Sequence, residues 1–218
     1  MRTDMEGFDA GHTGGAPRRK PRRLSLLFAR LAAEADGRIT VAEIVDALGD
    51  RSFAALLVLF AALNLLPLPP GSSAVLGVPL LIVAAQLMYG SKRAWLPRFV
   101  AEKSVPAEQF RSLMNRLVPR LVWLEKFVRP RYWPFWRRRG DRIIGVMSFL
   151  LAVVVTLPIP LGNWLPAFAI ALLGLALSER DGLMFAAGSA VSMAAALVIA
   201  FVIGAAGVAT QAALGWMF

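Results

Sequence analysis

Cysteine is absent, and histidine occurs once, at His12 in a glycine-rich stretch. The first absence excludes disulfides and thiolate metal sites. The placing of that lone histidine in a Gly-rich tail comes close to excluding a zinc centre or a Ser-His-Asp triad. Charge is scarce as well: 17% of residues are charged and 57% hydrophobic, against about 25% and about 45–50% in a soluble domain. No ionised side chain occurs over residues 52–89, 143–178 or 182–218. A water-soluble fold would have to bury three such blocks with almost no polar cover, whereas a bilayer needs about 20 apolar residues per crossing. The composition therefore predicts an all-α integral membrane protein. It does not predict an enzyme: no glycine-rich phosphate loop of the required spacing is present, and the carboxylates have no nearby His, Cys or Lys partner. No metal or cofactor is expected.

The charge that remains is segregated. Of 24 Lys and Arg, nine lie in the first 51 residues and 14 between Lys92 and Arg142, with Arg180 the last. Basic charge flanking lipid-length apolar blocks is the positive-inside pattern, not the footprint of a nucleic-acid binder. It predicts a cytoplasmic N-terminus and a cytoplasmic middle segment, with the bilayer and its anionic inner-leaflet lipids as partners and no nucleic acid.

Along the chain, residues 1–23 read as a disordered basic tail and 24–218 as one membrane domain. Arg22-Arg23 stands before an apolar run, but Arg30 interrupts that run early, so no cleaved signal is expected. Residues 24–48 read as two interfacial helices. The first carries Leu24, Leu27, Phe28 and Leu31 at helical spacing. The second spans Val41–Leu48, with Thr40 and Glu43 as a capping box, Ile39 and Ile44 in staple positions and Gly49 as the stop. Residues 91–139 form a basic linker. In it Phe110, Met114, Leu117, Leu121 and Leu124 share one helical face, and Arg111, Arg116, Arg120, Glu125 and Arg129 the other. A basic amphipathic helix of this kind suits an anionic membrane surface, with Pro119 expected to kink it.

Two segments, 49–90 and 140–181, repeat at a constant shift of 91 residues. Gly49-Asp50-Arg51 recurs as Gly140-Asp141-Arg142, and Leu66-Pro67-Leu68-Pro69-Pro70-Gly71 as Leu157-Pro158-Ile159-Pro160-Leu161-Gly162. Each repeat reads as a Gly-Asp-Arg start, an apolar arm, a proline-glycine break and a second apolar arm, that is, a proline-broken helical hairpin. Asp50 and Asp141 suit helix caps, and Arg51 and Arg142 suit headgroup anchors. A 15-residue first arm reaches about 22 Å, short of a hydrocarbon core of about 30 Å. The hairpins are therefore spanning in a thinned region or re-entrant. No uncharged window of spanning length separates them, so both should enter from one side. Residues 182–218 form a C-terminal transmembrane segment with Gly188, Ser192, Ala196, Ala200 and Gly204 as a close-packing stripe and a break expected near Gly204–Gly207.

Several pieces of this sequence resemble the ExoD family of bacterial membrane proteins linked to exopolysaccharide synthesis. They are Gly49-Asp50-Arg51-Ser52-Phe53, Asn64 through Gly71, Ala84-Ala85-Gln86-Leu87, Trp95-Leu96-Pro97, Leu157 through Asn163, and Glu179-Arg180-Asp181-Gly182. The resemblance implies a bacterial inner-membrane protein and a pathway, not a reaction. Asn64 and Asn163 flank the two breaks, and with Pro67, Pro69, Gly71, Pro158, Pro160 and Gly162 they are the candidate substrate-binding residues, since intramembrane polar groups tend to be functional. The competing role for the asparagines is to cap freed backbone amides, and for Glu179–Asp181 to form a solvated turn. The leading expectation is transporter-like handling of a lipid-linked or polar substrate. The alternative is a non-catalytic scaffold or regulator that holds polysaccharide-synthesis proteins or a second copy of itself.

Overall fold

The computed structural model describes residues 23–66, 72–91, 93–128, 137–157 and 163–217. The candidate residues Pro67, Pro69, Gly71, Pro158, Pro160 and Gly162 lie outside these, as do residues 1–22 of the tail. The chain is mostly helical. Its helices are α1 (Leu24–Glu34), α2 (Val41–Leu48), α3 (Ser52–Asn64), α4 (Ser72–Tyr89), α5 (Arg98–Ala101), α6 (Ala107–Phe127), α7 (Arg137–Thr156), α8 (Trp164–Glu179) and α9 (Gly182–Met217).

Helices α3 and α8 form the centre. α3 carries no charge and α8 only its last residue, Glu179; both are apolar on every side, α3 almost wholly buried and α8 buried over Ala169–Ala176, as a helix without a polar face must be. They pack on each other antiparallel, α4 packs on α7, and α9 lies along α8. Glycine sets the closeness of these seams. Gly174 lets α8 approach Ala54, Leu57 and Val58 of α3, Gly145 lets α7 approach the backbone of Leu87 and Met88, and Gly77 lets α4 meet Thr156. Such small-residue contacts are how helices associate where no hydrophobic driving force is available.

The α2 boundaries are those the sequence predicts. Thr40 Oγ1 accepts from the Glu43 amide at 3.2 Å, Glu43 Oε2 accepts from the Thr40 amide at 2.8 Å, and Gly49 ends the helix at φ +53°. Four other expectations are corrected. The fold is not purely helical: β1 (Arg38–Thr40) pairs antiparallel with β2 (Ser104–Pro106), with Ile39 opposite Val105. Asp141 does not cap a helix, because α7 begins at Arg137 and places it in the second turn; the cap residue of α3 is Arg51, not Asp50. No break interrupts α9 at Gly204–Gly207, since nothing approaches either glycine to reward a bend. Only the first part of the small-residue stripe is covered. Met184, Gly188, Ser192 and Ala195 are buried, whereas Ala196 and Ala200 are exposed.

Residues Gly182–Ala205 of α9 form a candidate membrane-spanning helix of 24 residues, only 17% of it buried. A second apolar face is left uncovered on α7, where Ile143, Val146, Leu150 and Val153 recur at helical spacing and, with Leu157 just past the helix end, are all exposed. An apolar stripe of that size facing outward suits lipid, not water, and together these surfaces point to membrane association.

Candidate functional site

Polar groups gather at the two ends of the α3–α4–α7–α8 bundle. At one end lie the starts of α3 and α7 and the ends of α4 and α8. Arg51 meets Glu179 at 3.5 Å, Arg180 meets Asp141 at 3.7 Å, and the Arg142 guanidinium lies against Gly90. The Arg51 and Glu179 side chains are only 29% and 15% exposed, so this pair feels less screening than a surface one. Glu179-Arg180-Asp181 is therefore not a solvated turn. Arg180 adopts a left-handed φ of 53°, and fully buried Asp181 caps α9 by accepting from the amides of Leu183 at 2.8 Å and Met184 at 3.4 Å. Two further sequence pieces meet here: the Gln86 side-chain amide brackets Trp95, accepting from its N–H at 2.7 Å and donating to its carbonyl. The side chain of Asp50 lies outside the description.

The other end holds the breaks. Asn64 closes α3 and Asn163 precedes α8, both buried. Asn64 Nδ2 donates to the Phe60 carbonyl at 2.8 Å, and Asn163 Nδ2 donates to the Leu157 carbonyl at 3.3 Å, tying the two sides of the second break together. The asparagines thus cap carbonyls, not the freed amides expected of them. Each Oδ1 is buried without a hydrogen-bond partner among the described residues. Such an orphan costs about 1–3 kcal/mol until a donor reaches it. Sequence reasoning passed over Ser148, a fully buried hydroxyl on α7 also without a partner among the described residues; its only signal was polarity within an apolar run.

A third feature lies on the flank. Helix α6 packs on α1. Glu125, placed by periodicity on the solvent face, is 4% exposed and accepts from the Ser25 amide at 2.9 Å and from its hydroxyl. Arg111, at the other end of α6, donates to the carbonyls of Ala32 and Ala35. An anion at the start of α1 and a cation at its end both complement the helix dipole. Between α6 and the α3–α8 pair remains a cavity of about 440 Å³. Its walls include Ala62 of α3, Leu65 and Leu66 just beyond it, Leu117 and Arg120 of α6, and Phe168 and Ala171 of α8; neither asparagine borders it.

Comparison with known proteins gives the chain its family. Residues 24–201 match the family described as "Exopolysaccharide synthesis, ExoD". The chain is 30% identical over 167 residues to an uncharacterised protein of Synechocystis sp., covering 76% of this chain and 79% of that one. It is also 30% identical over 156 residues to Protein ExoD of Rhizobium meliloti, covering 69% of this chain and 64% of that protein, just under two thirds of its length. No solved structure matches significantly. The match spans all of the helices α1 to α8 and most of α9, and the chain belongs to the ExoD family, linked to exopolysaccharide synthesis.

Proposed function

We propose that this chain supports envelope polysaccharide production from the bacterial inner membrane by transporter-like handling of a polar or lipid-linked substrate at the paired breaks. The observation that carries this reading is the pair of buried Asn64 and Asn163 carbonyl oxygens at one end of the bundle, each lacking a donor among the described residues. A substrate hydroxyl or a water chain would supply the missing hydrogen bonds, and non-helical backbone in a membrane is tolerated where it lines such a site.

Cross-packing supports reading the two hairpins as a repeat. A two-fold axis joining segments 91 residues apart exchanges the contact of Gly174 with Val58 for one between Val83 and Phe149. That pair falls on the α4–α7 seam, between the contacts of Gly145 with Met88 and of Gly77 with Thr156. Both hairpins then point the same way, an axis along the membrane normal relates them, and the ion pairs lie at the cytoplasmic end. The short apolar helices Ser52–Asn64 and Trp164–Glu179 suit re-entrant arms.

Replacing Asn64 and Asn163 together by Leu should abolish exopolysaccharide output in a deletion strain while membrane levels stay near wild type. Full complementation would reduce the breaks to simple turns. Disappearance from the membrane would make the asparagines structural. Orientation has its own test: Ser112→Cys, exposed on α6 of a cysteine-free chain, should resist an impermeant thiol reagent in intact cells and react after lysis. Labelling from outside would reverse the topology.

A scaffold reading rests on α9, whose second half leaves Phe201, Ile203 and Val208 uncovered. Co-purification of a polysaccharide-synthesis complex that survives the double asparagine substitution would favour it.

A further inference from the structure

The cavity beneath α6 reaches the start of the first break at Leu65 and Leu66 but takes in neither asparagine, and its chemistry differs. Apart from Arg120, the residues around it are apolar or offer no side-chain hydrogen bond except the indole of Trp123. The cavity is a half-open groove in which water would find few partners, so an apolar group is the better occupant. Its volume of about 440 Å³ falls within the range of about 300–1,000 Å³ typical of small-molecule sites. It is also set at a seam. Two walls are apolar stretches of α3 and α8, and the third is the amphipathic α6. A chain threading this seam would leave hydrocarbon on one side and meet charge on the other.

The charge is of one sign. Arg120 borders the cavity and Arg116 lies one turn earlier, both exposed. The carboxylate nearest along the helix, Glu125, is turned away and held by Ser25. Trp123, 59% exposed at the same rim, has the amphipathic ring that favours a headgroup boundary. We propose that the cavity holds one acyl chain of an anionic phospholipid from the surrounding leaflet, its phosphate met by Arg120. This needs only membrane association and does not depend on the reading of the breaks.

The test uses the full chain in nanodiscs of equal phosphatidylglycerol and phosphatidylethanolamine, released and washed before native mass spectrometry. One phosphatidylglycerol should remain bound per protein. Ala171→Phe fills the buried wall and should lower that occupancy by about tenfold or more. Where that variant fails to fold, Leu117→Trp from the α6 side asks the same question. Arg120→Gln should leave a chain bound but bring the ratio of anionic to zwitterionic lipid down to about one. Retention unchanged by either wall substitution would overturn the site, and wild-type protein holding both lipids equally would overturn the role of Arg120. Displacement of the phospholipid by a polyprenyl phosphate added to the same discs would overturn the source.

Discussion

Gly145→Val should eliminate the monodisperse, folded protein from detergent extracts. A Cβ built on Gly145 falls 2.7 Å from both the Leu87 carbonyl carbon and the Met88 Cα, with the Met88 amide nitrogen closer still. All three are backbone atoms of the last turn of α4, so no rotamer change relieves the clash, and α7 must lift off α4. Even Ala at this position should cost about 1–3 kcal/mol by overpacking, or about 5 °C of melting temperature for a chain of this size. Valine adds two methyl groups to a site with no room for one. Gly204→Ala supplies the control: nothing lies within 4 Å of its added Cβ, and alanine is the better helix former, so its melting temperature should hold or rise slightly. Gly174→Ala belongs between them. Its closest neighbour is a single side-chain methyl, Val58 Cγ2 at 2.8 Å, with the Ala54 carbonyl at 3.2 Å, so the clash meets less backbone than at Gly145. Fluorescence-detected size exclusion with a thermal ramp reads all four. A Gly145→Val protein melting with wild type would mean that the α4–α7 seam is looser than described.

What the sequence made legible follows from how local each signal is. Thr40, Glu43 and Gly49 define α2 within ten residues, and the structure uses each as its chemistry predicts. The uncharged blocks name the helices that become the bundle, because removing charge over 38 or so positions leaves burial or lipid as the only resting places. Glu125 was misplaced because periodicity assigns a face but not what covers it. Its partner Ser25 lies 100 residues away, and nothing in a helical wheel reports that an acid can cap another helix. The two short strands were missed for the same reason: three residues on each side, joined across 66 positions, carry no alternation to detect. The asparagines were found, since amides in apolar runs stand out, but their direction was not. Whether an amide donates to a carbonyl or accepts from an N–H depends on where the chain goes next. The break expected in α9 failed because two glycines weaken a helix without bending it unless another element offers contacts to the bent form.

The other large effect is expected at the α1–α6 pair, where Glu125→Ala should free α1. Its carboxylate takes both the amide and the hydroxyl of Ser25, and Ser25 is 2% exposed. Hydrogen bonds to a charged group contribute about 1.5–3 kcal/mol, and an abandoned buried donor retains its desolvation cost. Two bonds lost together amount to about 3 kcal/mol or more, large against an 11-residue helix that is too short to hold itself in water. Leu24 and Phe28 would then leave the α6 face that buries them. Hydrogen–deuterium exchange should report this directly, with amides of residues 26–34 exchanging on the timescale of an unprotected segment while those of α3 and α8 stay protected. Arg111→Met acts from the opposite end by releasing the carbonyls of Ala32 and Ala35. Its effect should be smaller, because last-turn carbonyls reach water more easily than Ser25 does. Glu125→Gln discriminates cause from accident: an amide still accepts from the Ser25 N–H and can donate to its hydroxyl, so most of the protection should return. If Glu125→Gln loosens α1 as much as Glu125→Ala, the negative charge at the start of the helix, not the hydrogen bonds, holds the pair together. If neither loosens it, apolar packing of Leu24 and Phe28 against α6 is sufficient alone.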